Sequence, residues 1–346
     1  MIPLERFIRA MPKVELHVHL EGAIRPETLL VLARRNRVEL PASDAEALRR
    51  WYTFRDFPHF IEIYLTLVQC LQTPEDIELI ATEFLEQQAS QNIKHTEITY
   101  TCFTQKLNHG MSYDVQLEAL NRAAAYAERE WGVTMSYTID YARHMAPEDF
   151  VGVAEWAVTR QASGVSALGL GGPEVGFPPE LFTEAFDIAR RHGLRSAPHA
   201  GETMGAASVR GCVEALHADR IGHGVRCLED PRLVSRLRES QIPLEVCPSS
   251  NVCLGISPTM KAHPLPRLME EGLYVTINSD DPPMFETTLT EEFLRAAEAF
   301  GFSHETVETL ALNAARASFL PEDRRENLVT EMMREMADLK QEFGLV

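Results

Sequence analysis

The chain has 346 residues, enough for one large core or two smaller ones. A formal net charge of −18, from 33 basic and 51 acidic residues, argues against nucleic acid or an anionic membrane surface as partner. Hydrophobic residues make up 45%, no apolar run is long enough to span a bilayer, and no basic-then-apolar leader opens the chain, so a globular cytoplasmic protein is expected.

In chain order, residues 1–12 read as a short helix leading into a first strand. That strand, Val14 to Leu20, alternates: Val14, Leu16, Val18 and Leu20 on one face, Glu15, His17 and His19 on the other. Pro26 near a first turn opens a helix that continues to Ala33. Residues 40–92 read as helical pieces, one of them started by Thr73 as N-cap, Pro74 at N1 and acids behind. A β-rich run covers His95 to Thr101, a helical period covers 112–131 and stops at Gly132, and a strand follows over Thr134 to Tyr141. A helix is expected from Pro147 to about Ala162.

The second half is more regular. Strand-like runs begin near Val165, Leu194, Asp219, Pro243 and Leu273, the first four each followed by a helical segment. The pair Asp230-Pro231 opens one of these helices. Residues 288–346 read as mostly helical. Eight strands separated by helices at this spacing predict a (β/α)₈ barrel, with extra helices inserted after the first strand and a helical C-terminus. A doubly wound sheet competes, but no Gly-x-Gly-x-x-Gly follows the first strand. With no low-complexity linker and no short repeat, residues 1–346 are expected to form a single domain. The six cysteines (70, 102, 212, 227, 247, 253) form no Cys-x-x-Cys pair, which predicts reduced thiols rather than a zinc ribbon or a disulfide framework.

In such a barrel the chemistry sits at the C-terminal strand ends. Those ends read His17 and His19, Gly169–Glu174, Pro198–Glu202, Gly222-His223-Gly224, Cys247–Asn251 and Asn278–Pro282. Most of them carry a polar group that an ordinary core excludes. His17, His19, His199 and Asp280 make a set of three imidazoles and one carboxylate suited to zinc with one position left for water; iron or manganese accepts the same donors. Glu202 reads either as a proton donor to a substrate nitrogen or as an acid in a helix first turn. His223 reads as a fourth imidazole ligand, as a base, or as a core histidine. Asp280 and Asp281 would face opposite ways on an ideal strand, but Pro282 and Pro283 force a turn that brings both toward the barrel mouth. Phe54, Phe57 and Phe60 in the early insertion are pocket-lining candidates, with plain helix packing the more ordinary role for each.

Taken together, His17-Val18-His19-Leu20-Glu21-Gly22-Ala23, His199-Ala200-Gly201-Glu202, Gly222-His223-Gly224, Cys247-Pro248-Ser249-Ser250-Asn251 and Ser279-Asp280-Asp281-Pro282 resemble the adenosine deaminase family of the amidohydrolase superfamily. These motifs occur in the family's order and span nearly the whole chain. The resemblance implies one zinc per chain on His17, His19, His199 and Asp280. It implies that Glu202 protonates purine N1 and that His223 helps take the proton of the attacking water and stabilises the hydroxide. It further implies that Asp281 hydrogen-bonds N7, that Gly172 offers a backbone N–H to N3, and that His19 and the residue at position 21 lie by the ribose. No lysine stands on the fourth strand, which supports one metal rather than two. The His-x-Glu and Pro-Cys-x-x-Cys pattern of cytidine-type deaminases is absent.

The implied reaction is hydrolytic deamination of adenosine or a related nucleoside, with a small purine as the only expected partner and the oligomeric state left open. Glu21 stands where many adenosine deaminases have Asp, and resembles the adenine deaminase branch. Gly171-Gly172 and Gly222 look nucleoside-like. The alternatives are therefore adenine deaminase and 6-aminodeoxyfutalosine deaminase, followed by a purine-binding barrel without turnover and a mononuclear hydrolase of another C–N or ester bond.

Overall fold

A computed structural model describes residues 3–345. Eight parallel strands run in chain order around a (β/α)₈ barrel: β1 Lys13–His19, β2 Ile93–Tyr100, β3 Thr134–Ile139, β4 Val165–Leu170, β5 Arg195–Ala200, β6 Ile221–His223, β7 Leu244–Val246 and β8 Val275–Ile277. β8 returns to β1 through a parallel bridge between Val18 and Asp280. The His19 N–H donates to the Asp280 carbonyl at 2.8 Å, and the Asp280 N–H to the His17 carbonyl at 3.1 Å. This closure sets two of the proposed ligands on one strand directly beside a third.

Parallel strands covered by helices are buried on both faces. Val14, Leu16 and Val18 accordingly pack outward against helices, while Glu15 and His17 are equally buried inward. The alternation of β1 thus separates two buried environments, not core from solvent. The last three strands are short, beginning at 221, 244 and 275, one or two residues later than the sequence pattern places them.

The insertion after β1 consists of helices Pro26–Asn36, Ala45–Trp51, Phe57–Gln69 and Pro74–Ser90. Thr73 caps the last of these in a capping box with Asp76. A helix over Cys102–His109, directly after β2, goes beyond the sequence pattern; its Gly110 in the left-handed region ends it. Helices Leu289–Phe300, His304–Ala317 and Glu322–Phe343 complete the outer ring. No helix among the described residues is long and apolar enough to cross a membrane. All six cysteines are free thiols, five of them buried.

Inside the barrel, beneath the strand ends, Arg220 is buried between two acids. Its guanidinium donates to Glu97 at 2.7 Å and to Glu245 at 2.5 Å, and lies 3.5 Å from the centroid of the Phe319 ring. A buried guanidinium is tolerated because every face has a partner. Through Glu245 this network reaches the site above.

Candidate active site

His17, His19, His199 and Asp280 converge, each offering one atom within 4.8 Å of the others. The Nε2 atoms of His17 and His19 both lie 3.4 Å from Asp280 Oδ1, and the Nε2 atoms of His19 and His199 are 3.0 Å apart. Donors bound tetrahedrally to one zinc at about 2.0–2.1 Å sit roughly 3.3 Å from each other, so the spacing fits such an ion. The electrostatics agree. Burial drives His19 to about 4 and His199 well below the ordinary histidine range, leaving neutral rings with lone pairs. Burial also opposes charge on His17, yet hydrogen bonds and charges from Asp280 and Glu245 raise it to about 10. Carboxylates that favour a proton there favour a metal cation equally. Cys247 also lies near His223 and Asp280, but burial holds its thiol well above the ordinary range, so it offers no thiolate.

Backbone conformation aims these groups. Asp280 and His223 take positive φ, 65° and 60°, which costs a non-glycine residue energy and marks a geometry imposed by its surroundings. The turn at Asp280 lets Asp280 and Asp281 both face the cleft. Gly22 and Gly222 act through their missing side chains: a Cβ on Gly22 would overlap the Asp281 carboxylate, and one on Gly222 would come within 2.7 Å of the His17 ring.

Glu202 lies between β5 and the helix Ala206–Glu214 and is 5% exposed. Burial, and then the Asp280 charge, push its carboxyl well above the ordinary range, so it is held protonated. Its loop is clamped by a residue that the sequence motifs left without a role. Glu174 accepts the N–H groups of Gly201, Glu202, Thr203 and Met204 at 2.8–3.2 Å, and the Ser208 hydroxyl at 2.5 Å. The signal was an acid beyond the glycines that end β4. Glu15 is a second such residue, bonded to the Ser279 N–H at 3.1 Å and to Gln88 at 2.8 Å beneath Asp280.

His223 Nε2 is 3.8 Å from Glu202 and 3.9 Å from Asp280. Its tautomer follows from a chain of bonds. The Leu265 N–H donates to His263 Nδ1, so His263 Nε2 donates to Asn251 Oδ1 at 3.0 Å. This turns the Asn251 amide N–H toward His223 Nδ1, 3.5 Å away, and leaves the His223 proton on Nε2.

His19, Gly172, His199, Glu202, His223, Asp280 and Asp281 all line one cleft, together with Phe57 and Phe60. Phe54 instead packs edge-on against Phe60 and Phe285. Glu21 is fully buried and does not line the cleft: its carboxylate accepts the Thr101 N–H at 3.0 Å and the Tyr64 hydroxyl at 3.4 Å.

A family model described as adenosine deaminase matches residues 12–335. The chain belongs to the adenosine deaminase family. It is a hydrolytic purine deaminase of a metal-dependent family. Among relatives, an aminodeoxyfutalosine deaminase of Streptomyces avermitilis is 38% identical over 95% of this chain and 92% of its own. An adenine deaminase of Acinetobacter baylyi is 35% identical, over 94% of this chain and 97% of its own. The crystal structure of an adenine deaminase from Arthrobacter aurescens superposes with TM-score 0.89 at 34% identity, covering 94% of this chain and 99% of that one. An amidohydrolase from Burkholderia ambifaria with bound zinc gives 0.91 at 27% identity, covering 99% and 95%. These relatives favour the alternative substrates of the sequence reading over adenosine.

Proposed function

We propose that this deaminase hydrolyses the 6-amino group of an adenine substituted at N9, with 6-aminodeoxyfutalosine as the leading substrate. The observation that carries the substrate is the extent of the cleft. Besides the groups that would hold a base, it is lined by Thr101, Thr104 and Asp140 and by the apolar side chains of Ile61, Leu65, Val68 and Met145. A free base would leave those apolar side chains uncovered, whereas a nucleoside with an extended, aromatic-tipped 5′ chain would bury them. Adenine is the second reading, supported by the adenine deaminase relatives and by Glu21.

His17, His19, His199 and Asp280 would hold one metal ion, for which zinc is the preferred identity. When bound, such an ion lowers the pKa of water so that hydroxide is available near neutral pH. The protein's own groups do the rest. Protonated Glu202 donates to N1 and draws electrons from C6. Asp281, pushed well above the carboxylate range by burial and then by the Asp280 charge, has an unpartnered Oδ1 and can donate to N7. The Gly172 N–H would meet N3. Of the two parts that the resemblance assigns to His223, the Asn251 contact favours stabilisation: an Nε2–H facing negative charge on the attacking oxygen. Hydroxide adds at C6 as Glu202 protonates N1; the proton left on the added oxygen passes to the amino group, which leaves as ammonia, and the Glu202 carboxylate is reprotonated by the next water, which thereby becomes the next hydroxide. We take the 346 residues as one catalytic domain, since β1 and β8 share the ligand set.

The test is an ultraviolet assay of zinc-loaded protein on 6-aminodeoxyfutalosine, adenosine, 2′-deoxyadenosine and adenine, with ammonia release as a second readout. The highest kcat/KM is expected for 6-aminodeoxyfutalosine. Preference for adenine would establish the second reading and overturn the first.

A further inference from the structure

Resting on that substrate reading, we propose that Asp140 recognises the sugar: its free carboxylate oxygen accepts a hydrogen bond from a ribose hydroxyl of the N9-substituted adenine. Asp140 follows β3 directly and lines the cleft while only 3% exposed. Its N–H is fixed to the Tyr100 carbonyl at 3.0 Å, so the end of β2 sets its position. Oδ2 accepts the Thr101 hydroxyl at 3.4 Å, whereas Oδ1 is buried without a partner. An unsatisfied buried carboxylate oxygen is costly, and a small rotation of the Asp140 side chain at the cleft wall would let a ligand in the cleft satisfy it.

The neighbouring strand is shaped for this side chain. A Cβ on Gly169 would come 2.7 Å from Oδ1, and one on Gly171 would come 2.8 Å from Oδ2. Two glycines at the end of β4 therefore leave the carboxylate its room. The same segment carries Gly172, proposed to meet N3. N3 and N9 lie on one edge of the purine, so a sugar on N9 falls beside the ends of β2, β3 and β4, where Asp140 and Thr101 stand. Glu21, the acid that the sequence motifs associate with the sugar, lies behind them and already accepts from Thr101 and Tyr64. The cleft thus carries a hydroxyl acceptor one residue beyond the regular part of β3, in place of one after β1.

A substrate–enzyme cycle tests this. The kcat/KM of zinc-loaded wild type is measured on adenosine, 2′-deoxyadenosine and 3′-deoxyadenosine, then repeated for Asp140→Ala and Asp140→Asn. A hydrogen bond to a buried carboxyl oxygen that otherwise lacks a partner predicts that wild type disfavours one deoxy analogue by on the order of 10- to 100-fold. Asp140→Ala is expected to bring that ratio close to one, and Asp140→Asn, isosteric and still an acceptor, to fall between. General damage lowers all three substrates together and leaves the ratio in place; that result, in both variants, overturns the assignment. A wild type that accepts nucleosides without distinguishing their hydroxyls overturns it as well. Activity on free adenine alone would instead overturn the proposed substrate, and this inference with it, before any variant is made.

Discussion

The Glu245 carboxylate accepts a hydrogen bond from His17 Nδ1 at 3.0 Å. That contact puts the His17 proton on Nδ1 and leaves Nε2 as the lone pair facing Asp280 and the other imidazoles. Arg220 holds Glu245 in turn, so the ring is positioned from inside the barrel. An amide at 245 can present either an oxygen or an N–H to the ring and loses the charge. Glu245→Gln is therefore expected to weaken metal affinity about 10- to 100-fold, with activity recovering as zinc is raised. Chelator competition followed by metal analysis measures this; wild-type affinity would refute the positioning role.

Glu202→Gln removes the acidic proton but keeps the shape. It is expected to retain zinc and to lose about 10²- to 10⁴-fold in kcat. Near-normal turnover would sink the proton-donor assignment. His17→Ala, by contrast, is expected to lose both metal and turnover, and full zinc content in that variant would refute its place among the ligands.

Glu174 binds four consecutive backbone N–H groups around Glu202, yet it is not placed to react. Glu174→Ala leaves those donors without their acceptor and is expected to lower kcat at least tenfold through a loosened loop. Hydrogen exchange is the decisive readout: amides 201–204 should lose protection in the variant. Unaltered protection there would show that the loop holds its shape without Glu174.

A fifth expectation concerns acid stability. Burial would raise the Glu97 carboxyl, but the charges and hydrogen bonds of Arg220 and His95 together outweigh it and hold the group at about 2, against an ordinary value of 4.5. The unfolded chain therefore takes up this proton at higher pH than the folded one. The stabilisation is fully present above pH 4.5 and drains away as pH falls toward 2, on the order of 3 kcal/mol in all. Glu97→Gln should be less stable than wild type at pH 7, and the gap in urea midpoints should narrow between pH 5 and 3. A gap independent of pH would show that Glu97 acts through packing alone.

Much of this protein was legible in one dimension. Helix caps such as Thr73 and Asp230, and the period of the strands, depend on neighbouring residues, so local chemistry alone determined the eight βα units and hence the barrel. The donor types at the strand ends were visible for a related reason: His17, His199, Glu202, His223 and Asp280 are polar in segments that otherwise read as buried. What tertiary structure decided was pairing and reach. Closure of β8 on β1 brought Asp280 to within 3.4 Å of both His17 and His19, across more than 260 residues of chain. Glu174 became the clamp of the Glu202 loop because a turn after β4 faces the end of β5. Glu21, expected beside the ribose, turned instead to the Thr101 N–H and the Tyr64 hydroxyl, while Asp140, to which the sequence reading gave no role, came to line the cleft. Whether a carboxylate meets solvent, backbone or substrate depends on which backbone N–H groups lie within three ångströms of it, and neither residue type nor spacing along the chain carries that information.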